Sequence, residues 1–198
     1  GRKPAPPDFY EQIPILHELL DAFGWPLYEL DDYEADDIMG TFAKQAEAKG
    51  VECCLITSDL DALQVVSPTT HVYAMKKGFT NIELFEPAHF EEKYGIRVDQ
   101  FLDLKALKGD SSDNIPGVPG IGEKTAVGLL QKYGNLDNIY DNLWELKDSL
   151  RRKLEDGNLC KNCSAKLSPW FSDRRSSTVE EIREQLAYRE ENRNAVAA

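Results

Sequence analysis

Histidine, cysteine and long apolar runs are scarce in this 198-residue sequence, which holds 3 histidines and 4 cysteines. Cys53 and Cys54 are adjacent within an apolar run, where a free cysteine behaves as a small hydrophobic residue. Cys160 and Cys163 have the spacing of half a zinc site, but no second pair or downstream histidine completes it. The cysteines therefore indicate no disulfide framework, and they are typical of a reducing, intracellular compartment.

The sequence also lacks membrane signals and an excess of positive charge. No apolar stretch is long enough to span a bilayer, and no signal peptide is visible at the start. The formal net charge is −12, whereas a simple non-specific DNA-binding protein is normally basic. Much of this charge lies in clusters that bound cations would offset, so charge alone does not exclude a nucleic-acid partner. A hydrophobic content of 41% is ordinary for a globular protein.

The apolar pattern predicts an α/β domain followed by a small helical module. Continuous or alternating apolar runs predict strands at 26–30, 51–57, 71–75 and 82–85, with 51–57 buried on both faces. Helical spacing predicts helices at 8–23, 34–49, 58–66, 87–94 and 98–107, the first of them capped by Asp8. This alternation implies a parallel sheet flanked by helices. The predicted domains are 1–113, a helical module at 114–156 and a divergent tail at 157–198, with an exposed helix at 178–193.

Seven carboxylates gather in three clusters: Glu34-Ala35-Asp36-Asp37, Asp59-Leu60-Asp61 and Asp110-Ser111-Ser112-Asp113. The first two lie at predicted strand ends, and the edge of an open α/β sheet at which strands end is where ligands bind. Carboxylates repel one another, so a cluster of them usually surrounds a cation. Oxygen ligands without nearby histidine or cysteine favour Mg²⁺ or Mn²⁺. Two such ions would activate water and stabilise the leaving oxygen in phosphodiester hydrolysis.

Each cluster also has a purely structural explanation. Acidic residues in a first helical turn favour the helix dipole, which suits Glu34, Asp36 and Asp37. Asp59 would serve as the N-cap of the helix that follows it. Asp110 and Asp113 are ordinary turn residues. These explanations account for the clusters singly but not for their corresponding positions in the predicted sheet.

A glycine-rich turn at 117–126, Gly117-Val118-Pro119-Gly120-Ile121-Gly122-Glu123-Lys124-Thr125-Ala126, precedes a predicted helix. Glycine allows a phosphate to approach the backbone, and the N–H groups at a helix start point towards the anion. Glycine spacing alone is weak evidence, because any tight turn between helices needs it. Pro119 and Ile121 make the whole string more specific.

Together these motifs resemble the 5′→3′ exonuclease domains of bacterial DNA polymerase I, in the flap endonuclease superfamily. The residues that carry the resemblance are 33–37, 58–61, 109–118 and 120–126, and it covers 1 to about 156. It implies a PIN-like α/β fold followed by a helix-hairpin-helix, and a monomeric, cytoplasmic bacterial nuclease joined in its parent protein to a polymerase domain. The substrate would be DNA with a 5′ end, flap or nick.

The resemblance assigns roles residue by residue. The metal-site positions are Glu34, Asp36, Asp37, Asp59, Asp61, Asp110 and Asp113, and those of them counted as catalytic are Asp36, Asp59, Asp61 and Asp110. The DNA-binding positions are Arg2, Lys3, Gly117, Gly120, Ile121, Gly122, Lys124 and Thr125. The implied cofactors are two or more Mg²⁺ or Mn²⁺ ions, with K⁺ at the helix-hairpin-helix.

The chain departs from the family pattern in three places. The family's first strand and two of its acidic positions would lie before Gly1, so low activity and incomplete burial of the sheet are expected. Leu60 stands where many members have lysine, and residues after about 158 do not match the family's continuation. Two alternatives to a 5′ nuclease stay open: a non-catalytic DNA-structure-binding protein, and a PIN-type ribonuclease, which the 117–126 turn disfavours.

Overall fold

The computed structural model describes residues 5–31, 33–76, 80–112 and 115–156. These residues fall into two compact units that divide between Ile38 and Met39. The predicted tail helix at 178–193 lies outside the described residues. No helix in the described part of the chain is long and apolar enough to cross a bilayer.

The first unit consists of α1 (Pro7–Ala22) and the start of α2 (Ala35–Ala48). The predicted helix at 8–23 is confirmed, but its N-cap is Pro6, and Asp8 lies in the first turn. None of the residues of α1 is buried. The strand predicted at 26–30 is wrong, because this segment pairs with no strand of the described sheet.

The second unit contains a three-stranded sheet of β1 (Cys53–Thr57), β2 (Thr70–Met75) and β3 (Ile82–Phe85), in that spatial order. β1 and β2 are parallel, with Leu55 opposite Val72, whereas β2 and β3 are antiparallel. The expectation of an all-parallel sheet is therefore wrong at β3. The connection at 76–81 is too short for the crossover that a parallel pair needs.

β1 is buried on one face only. Leu55 is 7% exposed and packs in the core, whereas Ile56 is 64% exposed. The prediction that this strand is buried on both faces is wrong, because the strand alternates between a core face and an exposed face.

Helices pack around the core of this unit and continue as far as Asp156. After a 3₁₀ turn at Leu60–Val65, which replaces the helix predicted there, come α3 (Pro87–Tyr94), a 3₁₀ turn at Val98–Gln100 and α4 (Phe101–Lys108). The helical module contains α5 (Glu123–Tyr133), α6 (Leu136–Asp141), a 3₁₀ turn at Leu143–Glu145 and α7 (Asp148–Asp156). The fully buried side chains include Leu63, Val72, Phe85, Phe90, Leu104, Leu107, Leu130, Ile139 and Leu154.

The buried side chain of Gln100 joins the start of α4 to the end of α5. Its Nε2 donates to the carbonyls of Leu130 at 3.0 Å and Gly134 at 2.6 Å, and its Oε1 accepts from the Arg97 N–H at 2.9 Å. The bond to Gly134 satisfies a carbonyl at the helix end, and the Leu130 carbonyl, which already accepts from the Gly134 N–H, gains a second donor. α4 and α5 are thereby linked through hydrogen bonds as well as through the apolar core.

Candidate functional site

Asp59 and Asp61 lie just beyond the carboxyl end of β1. The Asp59 N–H donates to Thr57 Oγ1 at 3.0 Å, and Asp59 Oδ1 accepts from the Asp61 N–H at 3.0 Å. Asp59 is the N-cap of the 3₁₀ turn that follows, as its structural explanation expects. This cap fixes the position of Asp61 next to the end of the strand.

Lys105 of α4 lies between the side chains of Asp61 and Asp110. Its Nζ forms a salt bridge with Asp61 Oδ1 and a second one, at 2.9 Å, with Asp110 Oδ2. The Lys105 side chain is only 6% exposed, compared with 29% for Asp61 and 19% for Asp110. The ammonium group also lies 5.5 Å from the ring centre of Phe101. One cation thus bridges two carboxylates from different predicted clusters.

A closed loop places Asp110 beside Lys105. Asp110 and Ile115 exchange two backbone hydrogen bonds of 2.8 Å, and the Val118 N–H donates to the Leu107 carbonyl at 2.8 Å. At the base of the loop Gly109 and Gly117 have φ values of +81° and +63°, which glycine adopts most readily. A Cβ built on Gly117 would lie 2.3 Å from the Gly109 nitrogen. Gly117 is therefore needed for this backbone contact.

Hydrogen bonding keeps Asp110 ionised. Burial alone would raise its pKa, but the hydroxyl and N–H of Ser112 and the ammonium of Lys105 outweigh that effect and hold the pKa at about 2. The pKa of Lys105 is raised in turn: burial opposes its charge, and the bonds to Asp61 and Asp110 more than compensate. Both partners are charged across the neutral pH range.

The first carboxylate cluster lies in the other unit, at the start of α2. Asp37 Oδ2 accepts from the Glu34 N–H at 3.1 Å, and the Asp37 N–H donates to the Glu34 carbonyl at 3.1 Å. Asp37 thus stabilises the helix start locally, as its structural explanation expects. Asp36 is half-buried in the first turn and Glu34 is exposed.

No group of three or more His, Cys, Asp and Glu side chains has metal-binding geometry within residues 5–31, 33–76, 80–112 and 115–156. Asp113, the last predicted ligand, lies outside these residues. The chemistry of the donors nevertheless fits a hard cation, because Asp61 and Asp110 both direct an oxygen at one ammonium group. The Lys105 ammonium places one positive charge at the point where these two carboxylates converge.

The 117–126 segment forms a turn that leads into α5. Val118 and Ile121 are 2% and 4% exposed and anchor the turn in the core. Gly122 is the N-cap of α5, and Gly120, Gly122, Lys124 and Thr125 are exposed. The Thr125 N–H donates to the Gly122 carbonyl at 3.0 Å, and Lys153 Nζ donates to the Gly120 carbonyl at 3.0 Å. An exposed helix start of this kind offers backbone N–H groups to an anion.

Some site residues were not found by sequence reasoning, and others lie outside the structural description. Arg2 and Lys3 are outside the described residues. Lys105 was missed, although it has a sequence signal: it lies one helical turn after Phe101, on the buried face of α4. A charged residue on an apolar face usually has a buried partner.

Two family models match the chain, and they meet between residues 95 and 96. One describes the N-terminal resolvase-like domain of a 5′-3′ exonuclease and matches residues 1–95. The other describes the C-terminal SAM fold of a 5′-3′ exonuclease and matches residues 96–192. The second match extends through most of the segment that the sequence analysis set apart as a divergent tail.

Relatives and solved structures agree with these matches. DNA polymerase I of Bacillus caldotenax is 46% identical over 203 aligned positions, which cover 100% of this chain and 22% of the relative. The thermostable DNA polymerase I of Thermus thermophilus is 43% identical over 87% of this chain and 20% of the relative. The chain thus spans about a fifth of the length of these relatives. A bacteriophage T5 flap endonuclease, solved with DNA and metal ions, superposes with a TM-score of 0.71 at 24% identity and covers 89% of this chain and 68% of the T5 chain. The expected α/β fold with a following helical module is confirmed.

Proposed function

Because the chain belongs to the 5′-3′ exonuclease family, we propose that it is a metal-dependent nuclease that hydrolyses DNA phosphodiesters at 5′ ends and 5′ flaps. The observation that carries the proposal is the convergence of Asp61 and Asp110 on one cation position beside the capped end of β1. The T5 flap endonuclease whose fold this chain shares was solved with DNA and metal ions, which fits the same chemistry.

The proposed metal ligands are the seven clustered carboxylates, Glu34, Asp36, Asp37, Asp59, Asp61, Asp110 and Asp113. Their oxygen donors suit Mg²⁺ or Mn²⁺, and such ions supply water activation and stabilisation of the leaving oxygen when bound. Other contacts within the chain orient the proposed ligands. Asp59 fixes the turn that carries Asp61, and Ser112 and the loop closed by Gly109 and Gly117 orient Asp110. Asp36, Asp59, Asp61 and Asp110 are the proposed catalytic residues.

The proposed DNA contact is the turn that opens α5. Its exposed glycines and N–H groups, with Lys124 and Thr125 beside them, would receive a backbone phosphate without reading sequence. Gly120 also presents a carbonyl at this turn, where K⁺ would bind; Lys153 donates to that carbonyl. Arg2 and Lys3 are proposed to contact the 5′ strand.

A non-catalytic DNA-binding protein is the second candidate function. The observation that favours it is that the described carboxylates already have local partners: Asp61 and Asp110 bind Lys105, and Asp37 binds the start of α2. Such a protein would keep the helix-hairpin-helix contact and lack cleavage.

The test is Mg²⁺- and Mn²⁺-dependent cleavage of an end-labelled 5′-flap DNA, together with binding of the same DNA in EDTA. Asp59→Asn is the informative variant, because asparagine caps a helix start about as well as aspartate and the fold is retained. Asp141→Asn, an exposed change at the end of α6, is the matched control.

Cleavage that EDTA and Asp59→Asn both abolish, while Asp141→Asn retains it, would support the nuclease. Flap binding without cleavage, equal in wild type and Asp59→Asn, would support the DNA-binding protein instead. Cleavage of single-stranded RNA in preference to flap DNA would contradict the proposed substrate.

The parent protein is proposed to act in the bacterial cytoplasm, as a monomer that carries a polymerase domain, in replication and repair. The support is the similarity to bacterial DNA polymerase I over the whole of this chain. Light scattering of the purified chain would check the monomer, and a stable dimer would contradict it.

A further inference from the structure

Lys105 is almost completely buried, yet it is a lysine whose charged end contacts two carboxylates. Its side chain is 6% exposed, and the ammonium bonds to Asp61 and, at 2.9 Å, to Asp110. The ring centre of Phe101 lies 5.5 Å from the ammonium. In contrast, Lys108 of the same helix is 29% exposed and forms its salt bridge with Glu123 at 2.8 Å, at the start of α5.

The two carboxylates and the ammonium depend on one another. Two carboxylates that share a site raise one another's energy when both are ionised, and a buried lysine is costly without a partner. The ammonium offsets one of the two negative charges, so the three side chains together retain a charge of −1. A divalent ion at the same oxygens would offset both negative charges.

We propose that Lys105 is the internal counter-cation of the metal site: it holds Asp61 and Asp110 together without metal, and a divalent ion must displace its ammonium to bind them. The proposal rests on the proposed function, which makes these two carboxylates metal ligands. It adds a positioning residue that acts through those ligands. Because the ion and Lys105 compete for the same oxygen atoms, Lys105 weakens metal binding while it keeps the metal-free site assembled.

The experiment is calorimetric titration with Mn²⁺ of wild type, Lys105→Met and Lys108→Met, together with thermal unfolding in EDTA and in Mn²⁺. Methionine is close to lysine in length and suits the buried position of residue 105. Lys108→Met is the matched control, since it removes the same charge from the same helix without touching Asp61 or Asp110.

Lys105→Met should bind Mn²⁺ at least about tenfold more tightly than wild type, because the ammonium that competes for the two carboxylates is gone. It should also unfold at a lower temperature than wild type in EDTA, and added Mn²⁺ should raise its unfolding temperature by more than that of wild type. Lys108→Met should bind Mn²⁺ as wild type does. Equal or weaker Mn²⁺ binding by a folded Lys105→Met would overturn the competition, since a lysine that merely fills space predicts that result.

Two further results keep the test decisive. If Lys105→Met is unfolded in EDTA, Mn²⁺ should restore its circular dichroism, and failure to do so would overturn the proposal. Asp110→Asn separates this proposal from the proposed function. If Asp110→Asn binds Mn²⁺ as tightly as wild type does, the Asp110 carboxylate is not a metal ligand, and the proposed metal site is contradicted. If it weakens binding while Lys105→Met does not tighten it, only the role of Lys105 fails.

Discussion

Replacement of Gly117 by alanine is expected to destabilise the protein strongly. Gly117 has a φ of +63°, a conformation that costs a residue with a Cβ about 1–2 kcal/mol. The new Cβ would also lie 2.3 Å from the Gly109 nitrogen and 2.6 Å from the Lys108 carbonyl carbon. Both neighbours are backbone atoms, so the overlap needs a backbone shift, for which overpacking in proteins costs about 1–3 kcal/mol. The sum is about 2–5 kcal/mol.

Thermal unfolding in the absence of metal measures this loss without reference to any activity. For a chain of this size, the expected loss corresponds to a fall in the unfolding midpoint of about 5–20 °C. Gly128→Ala is the matched control: Gly128 lies within α5, and apart from the backbone of its own helix nothing lies within 4 Å of a built Cβ, so alanine should stabilise the helix by about 0.5–1 kcal/mol. Unchanged stability in Gly117→Ala would refute the reasoning, because it would mean that the Gly109–Gly117 contact is not tight.

Three further predictions follow from contacts elsewhere in the second unit. The pKa of Glu83 is held at about 2, below its usual 4.5, by hydrogen bonds from Lys76 and Lys93. A carboxyl group with a lowered pKa stabilises the fold fully above about pH 4.5 and loses that effect as the pH falls towards 2. Glu83→Gln should therefore lower the free energy of urea unfolding by about 1 kcal/mol at pH 7 and by less at pH 3. An equal loss at both pH values would contradict this. Gln100→Ala should cost about 1–3 kcal/mol in the same assay, because the Gly134 carbonyl loses its side-chain donor and the Leu130 carbonyl keeps only the Gly134 N–H, and a neutral effect would show that water replaces the amide. Burial raises the pKa of the Cys53 thiol, so iodoacetamide at pH 8 should label the exposed Cys54 first, as mapped by mass spectrometry; faster labelling of Cys53 would be the contrary result.

Helices were the part of the fold that the sequence predicted best. The spacing of apolar residues located α1, α2 and α3 within about two residues, because each carries its pattern over several turns. The strand predicted at 26–30 was wrong, since a strand needs a partner and local sequence does not report one. The direction of β3 depended on the length of the 76–81 connection rather than on the strand itself.

Some residues of the candidate site could likewise be predicted from local sequence, whereas others depend on long-range packing. Asp59 at the end of β1 and the exposed start of α5 follow from local patterns that the sequence displays. The bond from Lys105 to Asp61 could not be predicted, because it joins residues 44 positions apart through the packing of α4. The roles assigned to the clustered carboxylates and to the turn remain predictions until the variants above are measured.

The closed loop between α4 and α5 has a consequence for where the proposed nuclease would cut a DNA strand. Asp110 and the start of α5 are tied together through the Gly109–Gly117 contact and the bond from Val118 to Leu107, and Gln100 fastens the far ends of the same two helices. The distance from the proposed phosphate contact at Gly122 to Asp110 is then set by the protein rather than by the DNA. We expect this linkage to keep the number of nucleotides between the bound phosphate and the cleaved bond constant.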